Sequence, residues 1–217
     1  PRSTQGVSSA ASDVYKRQGD DEFPLSGNRM LDRESLIYPP GMGILIEFGK
    51  IQKISPMQEL VAEFAPWYPS ESENSGTRVV DVDGKSVVPG FVDSHTHLVW
   101  SGDRSNELAM RISGKSYKEI AQIGGGIMKT VNSTRSAPKK QLVESGLRRL
   151  NSALENGTTS MEAKSGYGLD MDSEVKLLEA ISVIDRSSPC DVRATWLGAH
   201  DFPKEMNREE YLSLIHI

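Results

Sequence analysis

Two histidines separated by a single residue, His95 and His97, are the most specific chemical feature of the sequence. Residues i and i+2 of a β-strand project to the same face, so a strand ending here would present both imidazoles together. Two neighbouring neutral imidazoles can together bind one divalent metal ion, with each ligating nitrogen about 2.0–2.1 Å from it. An isolated His-x-His would by default be a structural pair. Here the preceding run VVPGFVDS predicts a buried strand, at whose carboxyl end parallel sheets build their sites, which favours metal ligation.

Three further polar side chains follow predicted strand ends. Arg104, in SGDR, can bind a substrate carboxylate bidentately. Tyr167, in KSGYG, lies between glycines that let the backbone approach a ligand closely, and His200 ends LGAH. Each has an ordinary alternative: a solvated arginine, a packed turn tyrosine and a capped strand histidine. As polar groups at successive strand ends, the three are predicted to share one rim with the histidine pair.

Strand–helix alternation after residue 90 must position these groups. The predicted strands are 91–92, 158–162 and 192–197, and the predicted helices are 116–122, 138–156 and 173–186. The longest helix has one predicted apolar face, formed by Val143, Leu147, Leu150 and Leu154. Strands separated by such helices form parallel βαβ units. A closed (β/α)8 barrel needs roughly 250 residues. Residues 91–211 are about half of that, so they form either a small open α/β domain or the front half of a barrel.

The glycine run 124–126 lacks the GxGxxG spacing of a dinucleotide site. A mobile loop over the site and a plain helix break remain equal alternatives for it.

A small, mostly β segment precedes the alternating region. Residues 42–53 predict two strands around a turn at Gly49, residues 55–78 a polar connection, and Asp83-Gly84 a hairpin turn. Residues 1–18 show neither helical nor strand periodicity, and residues 211–217 stop without a helix cap. Both ends are predicted to be non-native or disordered tails, which removes His216 from the set of ligands.

The composition restricts the partners. With 25 Lys+Arg against 30 Asp+Glu, the net charge of −5 gives no electrostatic reason to expect nucleic acid or an anionic membrane. No run approaches the roughly 20 apolar residues of a membrane span, and residues 1–18 lack the apolar core of a signal peptide. Cys190 is the single cysteine, which excludes an intrachain disulfide framework and an all-cysteine zinc site. A cytoplasmic location and a small-molecule partner are expected.

The run VVPGFVDSHTHLVWSGDR, followed by SYKEIAQIGGGIMKTVNSTR, EAKSGYGLD and LGAHDFPK, resembles the imidazolonepropionase family of the amidohydrolase superfamily. The resemblance covers residues 87–204. It implies a metal-dependent hydrolase that opens the cyclic amide of 4-imidazolone-5-propanoate to N-formimidoyl-L-glutamate in histidine degradation. It also implies one divalent ion, zinc or iron, on His95 and His97, and substrate contacts from Arg104, Tyr167 and His200.

The same resemblance carries an expectation about the fold. Residues 91–210 would be the first half of a (β/α)8 metal-dependent hydrolase barrel, and residues 19–90 part of a small β-sandwich domain before it. The remaining metal ligands and the catalytic glutamate would lie beyond residue 217. This stretch alone is therefore expected to be inactive, and a full-length chain could form a homodimer.

Two alternatives stay open. A hydantoinase-like amidohydrolase with two metals would carry a carboxylated strand-end lysine, and Lys164 lies near a strand end. In the KSGYG context, a hydrogen-bonding structural lysine is preferred there. The second alternative is a non-catalytic fragment or binding module that holds metal weakly through His95 and His97.

Overall fold

The computed structural model describes residues 5–11, 14–15, 37–64, 77–203 and 206–213. The chain divides into two units, Pro1–Pro89 and Gly90–Ile217. Of the two predicted tails, only residues 5–11, 14–15 and 211–213 are described. His216 lies outside the described residues. No helix in the described part of the chain combines the length and apolar character that crossing a bilayer requires.

The first unit is built mainly from strands. They are β1 (Gln5–Ala11), β2 (Val14–Tyr15), β3 (Ile37–Tyr38), β4 (Met42–Glu47), β5 (Lys50–Pro56) and β6 (Thr77–Asp81), with helix α1 at Met57–Phe64. Four strands form a sheet in the order β5-β4-β1-β6, in which β1 runs antiparallel to β4 and parallel to β6. Strands β2 and β3 pair separately.

The β4–β5 hairpin and the second turn confirm the predictions for these segments. Glu47 pairs with Lys50 around a two-residue turn in which Phe48 and Gly49 have φ values of 52° and 74°. Two consecutive left-handed residues match the right-handed twist of the flanking strands, and glycine adopts this conformation without strain. Asp83 and Gly84 form a second such turn, with φ values of 50° and 68°.

Two segments of this unit have structure that the sequence pattern does not indicate. Residues 5–11 form strand β1, although the sequence there shows no strand periodicity, because backbone pairing with both β4 and β6 satisfies the strand on each edge. That residues 1–18 are a non-native tail stays a prediction. The predicted polar connection begins with helix α1, in which Leu60 is only 1% exposed and packs with Leu45. Its apolar face covers only two helical turns, which is too short to stand out in the sequence.

The second unit alternates strands and helices as predicted, but its first strand is not the buried strand expected, since Phe91 and Val92 are 59% and 72% exposed. Its elements are β7 (Phe91–Thr96), α2 (Ser105–Ile112), α3 (Tyr117–Gln122), α4 (Ile127–Ser136), α5 (Lys139–Glu155), β8 (Thr158–Lys164), α6 (Met171–Ser187), β9 (Asp191–Thr195) and α7 (Arg208–Ser213). The strands lie in the order β7-β8-β9 and both pairs are parallel. This arrangement confirms the α/β class. Helices α2 and α4 are additions that the sequence pattern did not predict.

Helices α5 and α6 pack on the sheet and on each other to form the core of this unit. Gly146 permits the close approach, because a Cβ atom there would lie 2.4 Å from Cδ1 of Ile184. The most buried positions of α5 are Leu142, Gly146 and Leu150. Of the predicted apolar face, Leu150 is in the core, and the other three residues are partly buried and pack against it. The other buried core side chains include Met161, Ala163, Leu177, Ile181 and Ile184.

Helix α7 includes residues 211–213, the start of the segment predicted to be a non-native or disordered tail, and the non-native origin of that segment stays a prediction. Tyr211 is 3% exposed and packs with Val131 and Leu169. The aromatic ring therefore belongs to a small apolar cluster, an interaction that no local pattern around YLSLIHI indicates.

Candidate metal and substrate site

The carboxyl ends of β7, β8 and β9 bring four of the five predicted site residues together. The His97 ring centroid lies 4.5 Å from that of His200, 4.7 Å from that of Tyr167 and 5.8 Å from that of His95. The rings of Tyr167 and His200 are 5.6 Å apart. We refer to His95, His97, Tyr167 and His200 as the ring cluster.

His97 lies at the centre of the ring cluster and has the chemistry of a metal ligand. Both ring nitrogens are buried, and neither makes a hydrogen bond of normal geometry with the described residues. Burial, followed by the charges of His200 and His95, lowers the pKa of His97 from 6.5 to about 4, and the nearby backbone of Ser165 and Lys164 opposes this with a smaller effect. The imidazole is therefore neutral at pH 7, the form that binds a cation.

Two imidazoles fit one divalent ion but do not complete its coordination. With each nitrogen about 2.0–2.1 Å from a tetrahedral ion, the two ring centroids would lie roughly 5 Å apart, which is close to the 5.8 Å between His95 and His97. Within the described ranges, no group of three or more His, Cys, Asp or Glu side chains is placed to hold a metal. Catalytic zinc usually has three protein ligands.

Residues 165–170, which we name the tyrosine loop, hold Tyr167 through an unusual backbone. Gly166 has φ +118° and Leu169 has φ +55°. The N–H groups of Gly166, Gly168 and Leu169 donate to the Glu174 carboxylate at 2.8, 2.7 and 2.9 Å. Glu174 is 1% exposed. A buried carboxylate thus accepts the backbone donors on both sides of the tyrosine.

The carbonyl groups of the same loop are held from α4. Arg135 Nε donates to the carbonyl oxygen of Gly168 at 2.6 Å, and its Nη2 donates to that of Leu169 at 3.1 Å. Arg135 Nε also lies 2.9 Å from the Asp170 carboxylate. Lys176 Nζ donates to the carbonyl of Arg135 at 2.8 Å and so secures the end of α4. The tyrosine loop is fixed through its donors and its acceptors alike.

Arg104 is held by Glu107, a residue that the sequence patterns did not single out. Its Nε and Nη2 donate to Oε2 of Glu107 at 2.9 and 2.7 Å. Oε1 of Glu107 accepts the Gly126 N–H at 2.9 Å. The hydrogen bond from Arg104 is the main cause of the lowered pKa of Glu107, and the same bond raises the pKa of Arg104. The i, i+3 spacing of Arg104 and Glu107 is a local signal that could have indicated this pair.

Lys164 is paired within its own strand. Its Nζ donates to Oε1 of Glu162, which also accepts the hydroxyl of Thr195 at 2.6 Å. The hydrogen bonds from Lys164 and then Thr195 lower the pKa of Glu162. A lysine so engaged is the predicted structural lysine, and this pairing does not favour the alternative of a carboxylated, metal-bridging side chain.

The glycine run 124–126 separates helices α3 and α4. Gly124 and Gly126 have φ values of +86° and +77°, and Gly126 is the N-cap of α4. A cavity of about 530 Å³ borders this break, lined in part by Tyr117, Met128 and Asp201. The helix break is confirmed, whereas a mobile loop over the site stays a prediction.

Comparison with known proteins agrees with the motifs. The profile of the amidohydrolase family matches residues 78–173. The chain is 42% identical over 194 residues to an imidazolonepropionase of Symbiobacterium thermophilum, covering 88% of this chain and 43% of that protein. It is 39% identical over 200 residues to an imidazolonepropionase of Haloarcula marismortui, covering 91% and 45%. The chain therefore spans less than half the length of these relatives.

One solved structure supports the fold. A triazine hydrolase from Arthrobacter aurescens matches with a TM-score of 0.53 at 13% identity, covering 97% of this chain and 41% of that one. At this identity the likeness concerns the α/β fold alone.

Proposed function

Because this chain is related to the imidazolonepropionases of the amidohydrolase superfamily, we propose that it serves the hydrolysis of 4-imidazolone-5-propanoate to N-formimidoyl-L-glutamate in histidine degradation. The bond broken is the carbon–nitrogen bond of the cyclic amide. The observation that carries the proposal is the ring cluster around His97, whose two buried ring nitrogens have no described partner. A neutral, unpartnered imidazole among polar rings at strand ends supports a metal-dependent site.

His95 and His97 are the proposed ligands of one divalent ion, zinc or iron. The 5.8 Å separation of their rings and the low pKa of His97 support this assignment. Such an ion supplies Lewis acidity, which makes water a nucleophile near neutral pH. Further ligands would have to come from residues outside those described here.

The other predicted site residues would act on the substrate. Tyr167 and His200 can donate hydrogen bonds to the oxygen charge that grows as the ring carbonyl is attacked, and their place beside His97 supports that role. Arg104 can bind the propionate tail and so orient the ring from a distance. Hydrogen bonds from the backbone of the tyrosine loop to Glu174, and from Arg135 to that backbone, keep Tyr167 in position.

We further propose that residues 91–210 form the first half of a (β/α)8 barrel and residues 19–90 part of a β-sandwich. In the described part of the chain, β7 and β9 each pair on one edge only, which supports further strands beside them. The expected partner is the small-molecule substrate. A cytoplasmic location and the lack of nucleic-acid and membrane partners stay predictions.

The test is turnover by the complete reading frame that contains this chain, loaded with zinc or iron. Loss of 4-imidazolone-5-propanoate and formation of N-formimidoyl-L-glutamate are followed by mass spectrometry. We expect turnover, and in Arg104→Ala a KM raised by about tenfold or more, as loss of a charged hydrogen-bonding partner implies. A metal-loaded protein without turnover would refute the proposal. Unchanged KM and kcat in Arg104→Ala would remove the role of Arg104.

A further inference from the structure

The guanidinium of Arg104 has one occupied edge and one available edge. A guanidinium offers five N–H donors in one plane. Glu107 Oε2 accepts from Nε and Nη2 of Arg104, so it occupies the edge that these two nitrogens share. In the described part of the chain the opposite edge, formed by Nη1 and the second Nη2 hydrogen, makes no hydrogen bond. The Arg104 side chain is 37% exposed, so that edge is accessible.

The carboxylate that occupies the first edge is itself fixed. The Glu107 side chain is 9% exposed, and its other oxygen accepts the Gly126 N–H. The neighbouring backbone is tight, since a Cβ atom on Gly125 would lie 3.0 Å from Oε1 of Glu107. Rotating the carboxylate would leave a buried N–H without an acceptor, which is unfavourable. Glu107 therefore determines the direction in which the available edge of Arg104 points.

We propose that Glu107 is a positioning residue that sets the specificity for a substrate carboxylate, a role that rests on the proposed function of Arg104. It acts through Arg104 by holding the Nη1–Nη2 edge ready for two parallel hydrogen bonds to the carboxylate. Without Glu107 the guanidinium would gain rotamer freedom and lose this orientation. The positive charge left uncompensated would add little attraction, because the side chain is more than a third exposed and screened by solvent.

Two competitive inhibitors isolate the contribution of the carboxylate. The probes are 3-(imidazol-4-yl)propanoate and 4-propylimidazole, which share the ring and a three-carbon chain but differ in the carboxylate. Their inhibition constants are measured on the complete, metal-loaded reading frame. In the unmodified protein we expect the carboxylate probe to bind about tenfold more tightly or better, as expected for a charged hydrogen-bonded pair.

Substitution of Glu107 should remove that preference and little else. In Glu107→Gln we expect the ratio of inhibition constants to fall to about threefold or less, with the affinity for 4-propylimidazole and kcat retained and KM raised. Arg104→Ala should lose the same preference. Adding Glu107→Gln to Arg104→Ala should change the ratio no further, because the glutamate acts through the arginine.

The controls separate this inference from the proposed function. Glu179→Gln removes a carboxylate from an exposed ion pair with Lys139 and should leave the ratio unchanged. If the unmodified protein binds both probes equally, the role of Arg104 fails and the inference fails with it. If it prefers the carboxylate probe and Glu107→Gln keeps that preference, or weakens both probes equally, the inference alone is refuted. Should Glu107→Gln not fold, Glu107→Asp decides by the same ratio, since its shorter side chain cannot reach both partners.

Discussion

The loop that carries Arg104 and the tyrosine loop are each organised by one buried glutamate, but the two carboxylates bind different groups. Glu107 holds a side chain, the guanidinium of Arg104, and one backbone N–H of Gly126. Glu174 binds three backbone N–H groups of the tyrosine loop. The first arrangement fixes the direction of a charged group, whereas the second fixes the course of the chain.

This difference predicts that one glutamate mainly affects substrate binding and the other mainly affects the stability of the fold. The tyrosine loop contains two residues with positive φ, Gly166 and Leu169, a conformation that is unfavourable for leucine and needs support from its surroundings. Glu174 supplies that support in the interior, where an unpaired polar group is most costly. Arg104 is partly exposed, so its loss of a partner affects the folded state less. We therefore expect Glu174 to govern stability and Glu107 to govern substrate recognition.

The largest effect is expected from Glu174→Gln. The amide keeps one acceptor oxygen but places an NH₂ group against a backbone N–H, so the free energy of unfolding should fall by about 2–4 kcal/mol. Urea denaturation measures the change, with the exposed Glu179→Gln as matched control at under about 0.5 kcal/mol. A loss as small as that of the control would show that the carboxylate does not hold the loop.

A pair of glycine substitutions gives the next largest contrast. Gly166→Ala should destabilise by about 2–3 kcal/mol, because φ is +118° and a Cβ atom would lie 2.8 Å from Cβ of His200 and 2.9 Å from the carbonyl oxygen of Leu197. Gly124→Ala has φ +86° and nothing within 4 Å, so we expect about 1 kcal/mol. Equal losses in thermal denaturation would show that close packing around Gly166 does not make the tyrosine loop less tolerant of a side chain than the glycine run 124–126.

Glu107→Gln is expected to lower the free energy of unfolding less than Gly166→Ala or Glu174→Gln does. The introduced amide oxygen can still accept the buried Gly126 N–H, and the guanidinium that loses its acceptor is 37% exposed and can be solvated, so the loss should be about 1 kcal/mol. The same urea titration measures it. A loss equal to that of Glu174→Gln would mean that Glu107 also serves mainly to stabilise the fold, and the comparison would fail.

The pKa of His97 reports on the tyrosine loop, although at neutral pH its shift adds almost nothing to the free energy of unfolding. The ring centroids of Tyr167 and His97 are 4.7 Å apart. Burial is the main cause that lowers the pKa of His97 from 6.5 to about 4. The unfolded chain therefore binds a proton at a higher pH than the folded chain does. The free energy of unfolding is unaffected by this shift well above pH 6.5 and decreases as the pH falls towards 4.

NMR titration of the metal-free chain measures this pKa. Glu174→Gln should raise the pKa of His97 towards 6.5, because the loop that helps bury the ring is released, whereas Glu107→Gln should leave it unchanged. The opposite pattern would reverse the roles of the two glutamates.

Local sequence patterns predicted the parts of the site that depend on period and order. The i, i+2 rule placed His95 and His97 on one strand, and parallel βαβ order predicted that Tyr167 and His200 lie near them. The structure brings these four rings together. The motifs that predicted a resemblance to imidazolonepropionases are confirmed by the relatives.

Contacts between distant segments could not be predicted in the same way. Glu174 lies in an amphipathic helix, where a glutamate normally faces solvent, and its burial depends on the path of the preceding loop. Helix α4 was missed because its buried positions include Thr130 and Thr134, which leave a weak apolar pattern. Strand β1 depends on partners far along the chain.

The metal content of the complete reading frame tests the central claim most directly, namely that His95 and His97 bind one divalent ion. Elemental analysis should find about one zinc or iron per chain in the unmodified protein and in Glu179→Gln, and almost none when both histidines are replaced by alanine. Two ions per chain with a carbamate mass on Lys164, or metal retained without His95 and His97, would contradict the account.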